Sequence, residues 1–130
     1  MKTANDPRHL YRIKAVKALF AQTFQEQPLI TENELSKETW ALLAENDPII
    51  EKCAPEWPLN QINTVDLSVL RLSIYELLYR KDVPTKVILD EAVEIAKRYG
   101  GPNSGSFVNG ALASALNLTQ REDTKYEQAQ

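Results

Sequence analysis

The 130-residue sequence contains one histidine, His9, and one cysteine, Cys53. That inventory cannot assemble a metal cage of Cys and His ligands, and a Cys–His nucleophilic pair would require two distant segments to meet. A single cysteine also forms no intramolecular disulfide, and Cys53 reads as a small buried or boundary apolar residue. Neither GxxxxGK[ST] nor GxGxxG after a strand is present, so neither nucleotide fingerprint is met. Asp90, Glu91 and Glu94 lie on one helix face that solvation explains, without a partnered acid–base set. The chain reads as a non-enzyme with no cofactor and no metal.

Two segments carry binding chemistry instead. In GGPNSGSF, Gly100 to Phe107, a glycine-rich turn opens a helix whose first backbone N–H groups lack internal partners, an arrangement that can hold a phosphate. Ser104 and Ser106 add hydroxyls, and the Phe107 ring could stack an unpaired base. The plainer reading is a capped helix start with Phe107 in the core. The second segment is the first 22 residues, where Lys2, Arg8, Arg12, Lys14 and Lys17 face a single acid, Asp6. Arg8 and Arg12 are four apart and share a helix face. Residues 23–66 reverse the sign, with nine acids against Lys37 and Lys52. The net charge of -3 argues against indiscriminate binding to polyanions, whereas a basic helix at one end could still steer an anionic ligand. A solvated helix face is the plainer alternative.

The elements that must position these residues read as helices throughout, since the chain has only four glycines and long stretches dense in Leu and Ala. Asp6-Pro7 supplies a cap and a first-turn proline for a helix reaching about Phe24, with Ile13, Val16 and Phe20 on one apolar stripe and Tyr11, Ala15, Ala18 and Leu19 on another. Leu35 to Glu45 reads as a helix, and Asp47-Pro48 as the start of a short one ending near Ala54. Val65 to Arg80 is apolar around nearly its whole circumference and should be the central helix, with Thr64 as its cap. At its start Asp66 complements the helix dipole. Lys86 to Tyr99 follows, with Asp90, Glu91, Glu94, Lys97 and Arg98 as the wet side. Asn103 or Ser104 caps a last helix, in which Gly110 predicts a closely packed neighbouring backbone. From Thr119 the polar sequence reads as a frayed tail. MKTANDPRHLYRIK has no apolar h-region, and no run approaches the ~18 apolar residues of a membrane span. A soluble, cytoplasmic, membrane-free protein is expected.

RIKAVKALF near the start, and PEWPLNQINTVDLSVLRLSIYELLYRKDVPTKVILDEAVEIAKRYGGPNSGSFVNGALASAL further on, resemble the NusB family of bacterial transcription antitermination factors. The match runs from about Ile50 to Leu116 and reappears at Arg12 to Phe20. The resemblance implies an all-α, NusB-like domain over 1–118, with subdomains at about 7–45 and 48–118 and a disordered tail over 119–130. It implies no catalysis. Its implied ligand is the single-stranded boxA element of ribosomal RNA leaders, and its implied partner is NusE, the small-subunit ribosomal protein, within an antitermination complex with RNA polymerase. The implied RNA-binding positions are Arg8, His9, Arg12, Gly100, Gly101, Asn103, Ser104 and Phe107, and the implied partner-binding residue is Asp66. The -7 balance over 23–66 suits a basic ribosomal protein.

Two features depart from the family pattern. The arginine cluster is reduced to Arg8, His9 and Arg12, which predicts weak RNA affinity without the partner. The stretch between Phe24 and Ile49 is short, which predicts a helix missing from the amino-terminal subdomain, apolar surface left open around Trp40, and a homodimer that hides it. The alternatives to an RNA adaptor are a protein-only scaffold and a stand-alone RNA-positioning module serving a ribosomal RNA modification enzyme.

Overall fold

A computed structural model describes residues 6–24, 33–119 and 121. Six α-helices, joined in one place by a 3-10 turn at Leu59–Gln61, make up these residues: α1 (Pro7–Thr23), α2 (Glu34–Ala41), α3 (Leu43–Cys53), α4 (Thr64–Tyr79), α5 (Thr85–Tyr99) and α6 (Ser104–Thr119). The architecture is all-α, as the composition and periodicity predict.

α4 packs against each of the other five helices. Its sequence fits that place, with Leu67, Val69, Leu70, Leu72, Ile74, Tyr75 and Leu77 all buried. Polar residues in such a helix need internal partners, and they have them. Ser68 and Ser73 each donate a hydroxyl to the carbonyl one turn back, both at 2.8 Å. The cap is Asn63 rather than Thr64, its side chain accepting from the N–H groups of Val65 and Asp66.

α1 begins as predicted. Asp6 accepts from the Arg8 N–H at 2.9 Å, and Pro7 needs no donor in the first turn. The Arg8 guanidinium returns to the same carboxylate at 3.1 Å, and these hydrogen bonds hold the Asp6 carboxyl at about 2, below its ordinary 3.8. A depressed carboxyl stabilises the fold only while ionised. Its contribution is therefore complete above pH 3.8 and is lost as the pH falls towards 2. Hydrogen exchange at the Arg8 amide should quicken across that window, and Asp6→Asn should abolish the transition.

Three expectations about the helices are corrected. Pro48 lies inside α3, which starts at Leu43, so Asp47-Pro48 is not a helix start. Leu42 ends α2 and opens α3, and the helix accepts the missing proline N–H on an outer face where Pro48 is exposed. The region expected to hold a single full helix and a short one thus holds two consecutive helices. Trp40 is not left open: it packs half-buried against the core, with the Arg71 guanidinium 5.7 Å from its ring centre and Arg71 itself held by Asp47 at 2.9 Å. Gly110 has no atom within 4 Å of the place its Cβ would take, so no neighbouring backbone requires it. Gly110→Ala should then stabilise the chain by up to about 1 kcal/mol, as a mid-helix glycine gives way to the best helix former. A urea titration measures this, and a destabilised variant would contradict it.

Past α6, Arg121 is buried and donates to the carbonyls of Glu76, Leu77 and Val83, closing the end of α4. At that position the chain is docked rather than frayed, and the rest of the expected tail lies outside the described residues.

Candidate nucleic-acid interface

The start of α1 is built differently from a displayed cationic cluster. Arg8 presents a side chain that is 85% exposed. Arg12 is buried, its guanidinium spanning both oxygens of Glu76 at 2.9 and 3.0 Å and reaching Glu91 at 3.3 Å. His9 is buried too, with Nδ1 2.8 Å from Glu91 Oε2. Burial works against the Arg12 charge, but Glu76 and Glu91 outweigh it and hold its pKa above the ordinary value. Glu91, expected on the wet side of α5, is thus an internal anchor between α1 and α5. The hollow beside this network holds about 520 Å³ and is lined by four carboxylates, Asp6, Asp82, Asp90 and Glu91, against Arg8 and Arg12.

His9, Glu91 and Glu94 lie close enough to offer three ligand atoms to a metal ion. The direct His9–Glu91 contact and the Arg12 cation on the same carboxylate satisfy these groups without one.

α1 and α5 run in the same direction, since His9 meets Glu91 while Lys17 meets Tyr99. Along α5, the roughly nine residues from Glu91 to Gly100 span about 14 Å at 1.5 Å per residue. The two predicted RNA-binding regions therefore lie towards opposite ends of one helix. Between them is a group of exposed cations that the site prediction passed over. Lys17 and Arg98 each sit 5.3 Å from the Tyr99 ring centre, and Lys97 lies along Gly105 at the start of α6. Among the described residues none of the three is in an ion pair. The signal for Lys17 was visible in sequence, as it falls with Lys14 between the apolar stripes of α1; its meeting with Arg98 was not.

The turn after α5 is held tightly. A Cβ on Gly100 would stand 2.4 Å from Ser104 Oγ and 2.7 Å from the Ala96 carbonyl, so this position admits only glycine without a shift. Ser104 Oγ accepts from the Gly101 N–H at 2.8 Å and bonds to the Asp66 carboxyl. Asn103 takes the cap position, its carbonyl receiving the Phe107 N–H at 3.0 Å. The structure thus joins Gly101, Asn103, Ser104 and Phe107 with Asp66 around one open pocket of about 440 Å³, together with Trp57 and Asn63. Sequence reasoning had kept Asp66 apart from the turn and had not placed Trp57 in a site.

A model of the NusB family matches residues 9–117. The chain belongs to the NusB family. It is 56% identical over 66 residues to transcription antitermination protein NusB of Thermotoga maritima, a stretch covering 51% of this chain and 46% of that protein. The corresponding protein of Salinibacter ruber is 43% identical over 105 residues, or 79% of this chain and 66% of its own. The chain thus spans about half the length of several relatives it matches, the stretch shared with the Ruminiclostridium cellulolyticum protein also covering 46% of that relative. A solved structure of T. maritima NusB superposes over 100% of both chains with a TM-score of 0.79 at 34% identity, so the six-helix arrangement is the family's fold. Among the described residues no helix is long and apolar enough to cross a membrane.

Proposed function

We propose that this NusB family chain is a transcription antitermination factor, a non-enzymatic cytoplasmic adaptor that binds boxA-type single-stranded RNA together with NusE in a complex with RNA polymerase. The observation that carries the RNA reading is the adjacency of Lys17, Lys97 and Arg98 to the turn of Gly100, Gly101, Asn103 and Ser104, with Phe107 behind it. Cations there neutralise phosphates, the rigid turn fixes the strand, and the aromatic ring meets an unpaired base. Arg8 adds a second cationic point about 14 Å away along the helix. His9 and Arg12 then act by holding α1 against α5 rather than by touching RNA.

The described residues form the domain proposed for 1–118, with the helices before α4 as its reduced amino-terminal part and the rest as its carboxy-terminal part. Self-association loses the reason first given for it, because Trp40 is covered within the chain.

The burial of His9 and Arg12 favours one second reading, a scaffold that binds NusE and leaves RNA to other factors. A fluorescence titration with boxA RNA, with and without NusE, separates the two. The adaptor binds RNA in a salt-dependent manner and more tightly with NusE; identical RNA affinity of NusE alone and of the complex would leave the scaffold.

A further inference from the structure

The pocket between the starts of α4 and α6 contains a group that its surroundings do not satisfy. Asp66 is 6% exposed, and its Oδ1 has no hydrogen-bond partner among the described residues. Ser104 occupies the carboxyl on one side only. A buried carboxylate oxygen without a donor is costly, and a pocket beside it invites a ligand that brings one.

The lining says which kind of donor. Asp66 is the one charged residue among those lining the pocket, and the remaining polar walls are neutral amides and a hydroxyl, Gln61, Asn63, Asn103 and Ser104. Two helices begin here, α4 after Asn63 and α6 at Ser104, and each start carries roughly half a positive charge. Those two ends oppose the entry of a lysine or arginine side chain and favour a neutral ring whose phosphate stays at the rim. Trp57, half exposed, and Phe107, half-buried, supply aromatic surface. The volume of about 440 Å³ is within the ~300–1,000 Å³ usual for small-ligand pockets.

We propose that this pocket takes one unpaired nucleobase bearing an exocyclic amino group, and that Asp66 Oδ1 accepts a hydrogen bond from that amine. The inference rests on the RNA-binding reading above and adds base selection to it. Cytosine and uracil have nearly the same shape but opposite groups at this edge: cytosine N4 donates, whereas uracil O4 is an acceptor that faces the carboxylate unfavourably. Asp66 thus serves as a specificity residue. It is not the contact for a basic partner that the family resemblance implies.

The test compares oligocytidylate and oligouridylate of equal length, titrated against the full chain alone and with NusE. The unaltered chain should prefer oligocytidylate by about tenfold, the size of one charge-assisted hydrogen bond to a base edge. Asp66→Asn should bring the ratio close to one, because the amide can turn either its oxygen or its nitrogen to the base. Trp57→Ala, at an exposed position, should weaken both oligonucleotides by about tenfold and leave their ratio unchanged. The Asp66 variant should fold: burial pushes this carboxyl up despite Ser104, so removing its charge raises the melting temperature above the ordinary carboxylate range. Binding of both oligonucleotides without preference would overturn the proposal. So would an Asp66→Asn variant that keeps the preference while losing NusE, which would return Asp66 to the protein partner. Failure of either oligonucleotide to bind would overturn the RNA-binding reading itself, and base selection with it.

Discussion

Glu76→Ala should lower the stability of the chain by about 3–5 kcal/mol and its thermal midpoint by roughly 10–20 °C. Glu76 is 3% exposed and receives three of the hydrogen bonds made by the buried Arg12 guanidinium, at 2.9, 3.0 and 3.2 Å. Removing the acid leaves that guanidinium in the interior with Glu91 alone, at 3.3 Å and one nitrogen. The loss reflects a stranded charge rather than the net worth of the pair. A variant that removes both ends with apolar residues of similar size, Arg12→Met with Glu76→Leu, should therefore recover most of it. Calorimetry on the two variants decides the matter: a double variant as unstable as Glu76→Ala would mean that the ion pair itself supplies the stability. The same logic governs any test of RNA binding at the start of α1. Arg12→Glu would place a third carboxylate beside Glu76 and Glu91, so its failure to bind RNA would report misfolding. Arg8→Glu, at an exposed position, does not have that defect.

This network also marks the limit of what could be read from the chain. The start of α1 at Asp6-Pro7, the central place of α4 and the stop at Gly100 are all local signals, each written within a few neighbouring residues, and the structure follows them. Arg12, Glu76 and Glu91 are separated by 64 and 79 positions, and each taken alone is a charged residue on a helix that periodicity assigns to water. Only the pairing makes their burial tolerable, and pairing is a tertiary fact. Phe20 shows the converse, since it sits on the apolar stripe with Ile13 and Val16 yet is 38% exposed where α1 runs past its cover. The site divides in the same way. The turn from Gly100 to Ser104 is legible because glycine, proline and serine state their backbone geometry locally. Its junction with Asp66, Asn63 and Trp57 depends on α4 and α6 starting side by side, which no spacing in the sequence encodes.

Reversing the three cations beside the turn, Lys17→Glu with Lys97→Glu and Arg98→Glu, should weaken single-stranded RNA binding by about 100-fold at 0.1 M salt. Each phosphate neutralised on a single strand contributes about 0.7 to the slope of log affinity against log salt. Three contacts therefore contribute about 2, which is a factor of about 100 between 1 M and 0.1 M salt. All three side chains are exposed, so the substitutions should leave the melting temperature nearly unchanged. Lys17 and Arg98 give up only their approach to the Tyr99 ring, an exposed contact of modest worth. The loss should fall equally on oligocytidylate and oligouridylate, because phosphate contacts position the strand without reading its bases. That pattern is the opposite of the one expected from Asp66→Asn, which should change the base preference and leave the salt slope intact. An unchanged slope in the triple variant would remove these residues from the RNA path and shift the electrostatic contribution to Arg8 and the other basic residues of the first 22.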